Sequence, residues 1–124
     1  MFSVNYRDPL PLYEQIKAKL RHMMLTDVLT PDTKLPSVRE LASTLAINPN
    51  TIQRAYRELE AEGLIVSVPG KGSYPVAPEI LKEKMLTRLY SEFDSIAAKL
   101  SDLGVSSQTL ISRIQTLDKG GEQI

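Results

Sequence analysis

Apolar residues recur at helical spacing in three segments of the first half of the chain, and two of these segments have clear start signals. The first segment predicts an amphipathic helix over residues 11–25. Ser37 and Glu40 form the S-x-x-E pattern of a capping box, which predicts the start of a second helix. Asn48 suits the N-cap of a third helix, with Pro49 at its first helical position. The pattern therefore predicts three consecutive short helices.

A β-hairpin is predicted directly after the third helix, which Gly63 ends. Two short apolar segments, residues 64–68 and 73–76, flank the sequence Pro-Gly-Lys-Gly. Proline followed by glycine suits the two central positions of a type II turn, so Lys71 should lie at the hairpin tip. Pro75 restricts the second strand to a sheet edge or a short length.

The apolar pattern changes beyond Pro78 to a heptad seam with alternating spacings of three and four residues. The seam positions are Leu86, Leu89, Phe93, Ile96, Leu100 and Leu103. Gly104 ends this helix, and a last short helix is marked by Leu110, Ile111, Ile114 and Leu117. A continuous heptad seam favours dimerisation through this region, with the last helix contributing to the same core. The alternative is a seam that packs within one monomer against the last helix.

These elements predict a mainly α fold with a small β-hairpin wing. A winged helix-turn-helix over residues 1–77 precedes a two-helix dimerisation region over residues 78–118. A flexible tail is predicted over residues 119–124, where Gly120 and Gly121 begin a frayed end.

Composition gives no support for a nucleic-acid binder. The chain of 124 residues has 15 Lys and Arg against 15 Asp and Glu, so its net charge is zero. Residues 1–78 hold nine basic and eight acidic side chains, so any basic surface must come from their placement. Cysteine is absent, and there is neither a signal peptide nor an apolar segment long enough to span a membrane. We therefore expect a cytoplasmic protein without a membrane partner, a cofactor or a metal.

The third helix is the predicted base-reading element. The second helix of a helix-turn-helix lies in the major groove with its N-terminal residues near the base edges. Here its apolar stripe faces the core, which leaves Asn50, Gln53, Arg54 and Arg57 on the opposite face. These side-chain types pair with adenine or guanine edges. The alternative is that Arg54 and Arg57 form surface ion pairs with Glu58 and Glu60 on the same helix.

Contacts with the DNA backbone are expected from the second helix and the hairpin. Arg39 lies at the exposed start of the second helix, whereas Ser37 serves first as a cap and could also meet a phosphate. Lys71 can reach a phosphate or the minor groove, since Gly70 and Gly72 permit a close approach of the turn. The alternative for this sequence is a solvated hairpin tip.

The segment LPSVRELASTLAINPNTIQRAYRELEAEGLI, followed by PGKGSY and preceded by PLYEQI, resembles the GntR family of bacterial regulators over residues 9–76. The short remainder resembles the YtrA-like subfamily, whose members use a small C-terminal helical region for dimerisation. The resemblance implies DNA contacts at a defined set of positions. These are Arg39, Asn48, Asn50, Thr51, Gln53, Gly70 and Lys71.

The sequence departs from the family pattern at three positions. Pro49 stands where many members have an arginine, so one base-reading side chain is missing. Asp27 and Asp32 stand where glycines are usual. Because aspartate tolerates the left-handed conformation, we expect the same loop.

Taken together, the residues and the resemblance predict a sequence-specific transcriptional regulator and not an enzyme. We expect a homodimeric repressor that binds an inverted-repeat operator in double-stranded DNA, with a transporter operon as the target that the resemblance implies. The sequence identifies no effector, leaves room for no large effector domain and allows for there being no effector at all. The alternative is a winged-helix module that binds protein without specific DNA binding, and the zero net charge leaves this alternative open.

Overall fold

A computed structural model of the chain describes residues 3–122, with side chains as far as Lys119. The chain divides into two compact units, Met1–Met85 and Leu86–Ile124. Its elements, in chain order, are α1 (Leu12–Leu25), α2 (Val38–Leu45), α3 (Pro49–Ala61), β1 (Ile65–Val68), β2 (Gly72–Pro75), α4 (Pro78–Asp102) and α5 (Ser107–Glu122). The first unit thus holds three helices and a hairpin, followed by the start of α4. Over the described residues, none of the helices has the length and apolar character needed to cross a membrane.

The predicted start signals of α2 and α3 are confirmed. The Ser37 hydroxyl accepts a hydrogen bond from the Glu40 N–H, and the Glu40 carboxylate accepts one from the Ser37 N–H. Asn48 caps α3 through its side-chain oxygen, and Pro49 is the first helical residue. Pro11, predicted inside the first turn of α1, instead occupies the N-cap position. Its fixed φ and missing N–H are compatible with both positions.

The core of the first unit forms where the apolar faces of the helices meet the hairpin and the start of α4. α1 and α2 both pack against α3, and α3 packs against β1. Leu81, in the first turn of α4, is fully buried in the same core. The other fully buried large side chains are Ile16, Leu20, Met24, Leu35, Ile52, Leu59 and Leu64.

The hairpin has the predicted turn. β1 and β2 pair antiparallel, and Val68 lies opposite Gly72 at the end next to the turn. The Lys71 N–H donates to the Val68 carbonyl at 2.9 Å, and Gly70 has a φ of 76°. A positive φ at the second central position defines a type II turn and is the reason that glycine is needed there.

Two non-glycine residues have left-handed backbone conformations. Asp27 has a φ of 60° in the loop after α1, as expected from its tolerance of that region. Asp32, which is also among the described residues, does not have a left-handed conformation. Only Asp27 of the two aspartates therefore adopts the backbone conformation that glycine would favour. Ala46 has a φ of 55° in the turn between α2 and α3, a conformation that its residue type does not predict.

The second unit begins inside α4. α4 starts at Pro78, but the two compact units divide between Met85 and Leu86 because the first turns of α4 belong to the core of the first unit. Gly104, with a φ of 90°, ends α4 as predicted. α5 continues to Glu122, so residues 119–122 of the predicted tail are helical. The remaining two residues of that tail, 123 and 124, lie outside the described residues.

Candidate nucleic-acid interface

The predicted DNA-contacting residues lie on three parts of the first unit: the start of α2, α3 with its N-cap as far as Arg57, and the hairpin tip. Most of these residues are exposed, and Thr51 and Gly72 are half-buried. The exposed members of this set are Ser37, Arg39, Asn48, Asn50, Gln53, Arg54, Arg57, Gly70 and Lys71. The face of α3 that carries Asn50 and Arg57 lies opposite the buried stripe of Ile52, Ala55, Tyr56 and Leu59.

The segment just before α2 ties the hairpin to α3. The Leu35 N–H donates to the Ser73 carbonyl of β2 at 2.9 Å, which attaches this segment to the edge of the hairpin. The Tyr56 hydroxyl on α3 donates to the Pro36 carbonyl at 2.6 Å. Burial raises the pKa of Tyr56, so its hydroxyl keeps the proton that this bond requires. Ser37 follows directly as the cap of α2, so the three parts of the surface are connected through three successive residues.

Two predicted contact residues have structural bonds of their own. Ser37 uses its hydroxyl oxygen to cap α2, and Asn48 uses its side-chain oxygen to accept a hydrogen bond from the Asn50 N–H at 2.9 Å. These bonds occupy acceptor oxygens, whereas a phosphate needs a donor. The hydroxyl hydrogen of Ser37 and the amide NH2 of Asn48 are donor groups that the capping bonds do not use.

Arg54 is held against α1. Its guanidinium lies 3.7 Å from the centre of the Tyr13 ring, and its Nε donates to Glu58 Oε2 at 3.0 Å. The hydrogen bond to Glu58 raises the pKa of Arg54. The pair of Arg54 and Glu58 considered as the alternative from the sequence is therefore present. The sequence did not identify Tyr13 as a partner of Arg54, because its position on α1 indicates only that it is a helical residue.

A buried lysine neutralises the acidic end of α3. Lys17 of α1 is 4% exposed, and its Nζ lies 2.8 Å from Glu58 Oε1 and 2.6 Å from Glu62 Oε2. Burial alone would lower the pKa of Lys17, but hydrogen bonds to Glu58 and Glu62 and the charges of Glu62 and Glu14 raise it above its ordinary value. Arg21 adds a second cation 3.7 Å from Glu62. These contacts direct two acidic side chains of α3 towards α1.

The remaining charges give the surface a local positive excess despite the zero net charge. Glu60 accepts a hydrogen bond from Ser67 of β1 instead of pairing with Arg57. Within residues 3–119, where side chains are described, Arg39, Arg57 and Lys71 form no ion pair. The acids near α3 are thus engaged with the protein, while these three cations are exposed to solvent and available to phosphate or base edges.

The heptad seam of the second unit is largely uncovered in the single chain. Leu86, Leu89, Phe93 and Ile96 are between 43 and 58% exposed, and Leu103 is 82% exposed. Leu100 is half-buried. Leu86, Leu89, Tyr90 and Phe93 of α4 line an apolar groove of about 400 Å³ together with Ile114 of α5. α5 therefore shares this apolar surface with α4 but covers the seam only in part.

Comparison with known proteins identifies the family. A model of bacterial regulatory proteins of the gntR family matches residues 12–74, which span α1, α2, α3 and nearly all of the hairpin. The chain belongs to the GntR family. The resemblance noted from the sequence is therefore confirmed, and membership identifies the chain as a transcriptional regulator and not an enzyme.

Two YtrA proteins match this GntR protein over nearly their whole length. The HTH-type transcriptional repressor YtrA of Bacillus subtilis (strain 168) is 35% identical over 99% of this chain and 98% of its own. The structure of YtrA from Sulfolobus acidocaldarius, a GntR-family transcription factor, is 27% identical, with a TM-score of 0.62 over 96% of this chain and 97% of that one. These matches confirm the fold class: a winged helix-turn-helix followed by a C-terminal helical region.

A further solved structure links the first unit to DNA in a relative. The DNA-binding domain of AraR in complex with operator ORX1 is 26% identical, with a TM-score of 0.54 over 61% of this chain and all of that one. AraR is thus a protein with a similar domain that has been crystallised on its operator.

Proposed function

We propose that this GntR regulator is a homodimeric repressor that binds an inverted-repeat operator through α3 and the hairpin. The observation that supports it best is the exposed cationic surface formed by Arg39, Arg57 and Lys71, none of which is paired within the part of the chain that the structure describes. The repressor function of YtrA from Bacillus subtilis and the operator complex of AraR support the same proposal.

Base readout is assigned to the start and middle of α3. Asn50 and Gln53 carry amides that can pair bidentately with adenine, and Arg57 carries a guanidinium that can pair with guanine. All three side chains are exposed on the face of α3 away from the core. Arg54 contributes less to base readout than its position in the sequence predicts, because its guanidinium already contacts Tyr13 and Glu58.

Backbone contacts are assigned to the two flanking elements. Arg39 at the start of α2 and Lys71 at the hairpin tip bind phosphates and fix the orientation of α3 without reading sequence. Thr51 and the donor groups of Ser37 and Asn48 add uncharged contacts at the entry to α2 and α3. Gly70 and Gly72 allow the turn to come close to the duplex.

Dimerisation is assigned to the seam of α4 together with α5. Exposed large apolar side chains that repeat at heptad spacing are the pattern of a helix that packs on a partner helix. A two-fold dimer presents two copies of α3 to half-sites about one DNA turn, roughly 34 Å, apart. The operator is therefore expected to be an inverted repeat. A transporter operon as the target, and a cytoplasmic location, follow only from the family resemblance and the sequence.

Selection of bound fragments from random duplex DNA with the purified protein tests the proposal. The expected product is an inverted repeat whose half-site centres are about ten base pairs apart. Arg39→Ala should weaken binding to every selected sequence, whereas Gln53→Ala should relax preference at particular base pairs. No selected motif, together with no salt-dependent duplex affinity, would overturn the proposal and favour a protein-binding module.

A further inference from the structure

A lysine next to the hairpin lies outside every contact assigned so far. Lys34 is exposed and immediately precedes Leu35, whose N–H is bonded to Ser73 of β2. Its stem crosses the backbone of Gly72, because a Cβ on Gly72 would lie 2.6 Å from Lys34 Cε and 3.3 Å from Cγ. Lys34 and Lys71 are therefore held on the same hairpin, although they lie far apart in the sequence.

Two features require glycine at position 72, where this crossing occurs. Any side chain at position 72 would meet the stem of Lys34, and the φ of 130° is one that other residues rarely adopt. The missing Cβ leaves a path for the methylene groups of Lys34. Contact along this path restricts the stem, so the side chain loses less conformational freedom on binding a phosphate than a fully solvated lysine does.

The ammonium group of Lys34 has no carboxylate partner within 4.0 Å among the described side chains. Its charge also acts on α2, where hydrogen bonds with Ser37 and then the charge of Lys34 lower the pKa of Glu40. The charge of Lys34 thus acts between the hairpin and the first turn of α2. Arg39 and Lys71, to which phosphate contacts are assigned above, belong to those two elements.

We propose that Lys34 is a further phosphate-binding residue of the DNA surface and that the Gly72 backbone positions it. The inference rests on the proposed function and deepens it, since it assigns a contact that joins the footprints of α2 and the hairpin. A bound duplex gains one ammonium–phosphate contact per protomer, and each such contact releases condensed counterions. The contribution of Lys34 is therefore to affinity at all sequences and to its salt dependence.

The test measures duplex affinity of the full chain from 50 to 200 mM salt for the wild type and for Lys34→Met. Methionine keeps the apolar stem over Gly72 and removes the charge. The slope of log affinity against log salt is negative and should become less steep by about 0.9 for each bound protomer, in line with one lost phosphate contact. The ratio of wild-type to variant affinity should therefore shrink about 3.5-fold per protomer across this range.

Two further variants give a matched control and distinguish failure of this inference from failure of the proposed function. Lys19→Met, an exposed lysine on α1, is the matched control and should leave the slope unchanged. Lys71→Met should make the slope less steep, as Lys34→Met does. If Lys71→Met makes the slope less steep and Lys34→Met does not, Lys34 does not contact phosphate. The inference then fails while the proposed function stands. If the wild type itself has no salt-dependent affinity, the proposed function fails. A loss of affinity in Lys34→Met at unchanged slope would also overturn the inference, because it would indicate a structural effect.

Discussion

Replacing Lys17 by methionine should lower the free energy of unfolding by about 3 kcal/mol, because the change removes the buried cation that faces Glu58 and Glu62. The Lys17 side chain is 5% exposed and that of Glu62 is 9% exposed, so this pair is buried. Removing one partner of a buried pair costs about 3–5 kcal/mol. The lower end applies here, because Glu62 keeps Arg21 at 3.7 Å and Glu58 keeps Arg54 at 3.0 Å. Methionine fills nearly the same volume, so little of the loss comes from a cavity.

Urea denaturation followed by far-UV circular dichroism at pH 7, at one fixed protein concentration, measures this effect. Lys19→Met on the exposed side of the same helix is the control and should change stability by less than about 0.5 kcal/mol. The double variant with Glu62→Gln should recover part of the loss, because it removes the stranded carboxylate. A loss below about 1 kcal/mol in Lys17→Met, or no coupling to Glu62→Gln, would show that the pair is not buried as described.

Three further predictions concern other parts of the chain. Ala46→Gly should raise the free energy of unfolding by about 1 kcal/mol in urea denaturation, because the left-handed φ of 55° strains alanine and not glycine. Phe93→Asp on the seam should give monomers in sedimentation velocity, whereas Ser91→Asp on the outer face of the same helix should not; a dimer that survives Phe93→Asp places the interface elsewhere. Hydrogen bonds from Lys17 and Arg54 lower the pKa of Glu58 below its ordinary 4.5. The stability that Glu58 contributes is therefore present above pH 4.5 and is lost as the pH falls through the lower pKa of the folded protein. Glu58→Gln should flatten the acid limb of the stability profile, and an unchanged limb would contradict this linkage.

Much of the candidate site could be predicted from the sequence because it depends on local interactions. The capping box at Ser37 and the Asn48 cap each join atoms within three residues of one another. The type II turn at Gly70 is decided by two adjacent residues. Signals of this kind are present in the sequence itself, and the order of elements that they predicted matches the family.

The roles of individual charged side chains were harder to predict. Arg54 and Arg57 are equivalent in the sequence as cations on the outer face of α3. The structure separates them, because Tyr13 and Glu58 hold Arg54 while Arg57 has no ion pair among the described side chains. Ala46 is a second case, since a left-handed alanine is imposed by the packing of α2 and α3 and not by its own preference.

The family, the helix starts, the hairpin and the heptad seam can all be read from the sequence, because motifs, periodicity and capping depend on residues close together in the chain. Which charges are neutralised and which face outwards depends instead on the folded chain. Lys17 meets Glu58 across 41 residues, and Lys34 meets Gly72 across a similar distance in the sequence. Such partners are brought together only when the core closes. A chain with zero net charge can therefore present a cationic surface, since folding directs acids of α3 towards α1 and leaves the cations exposed.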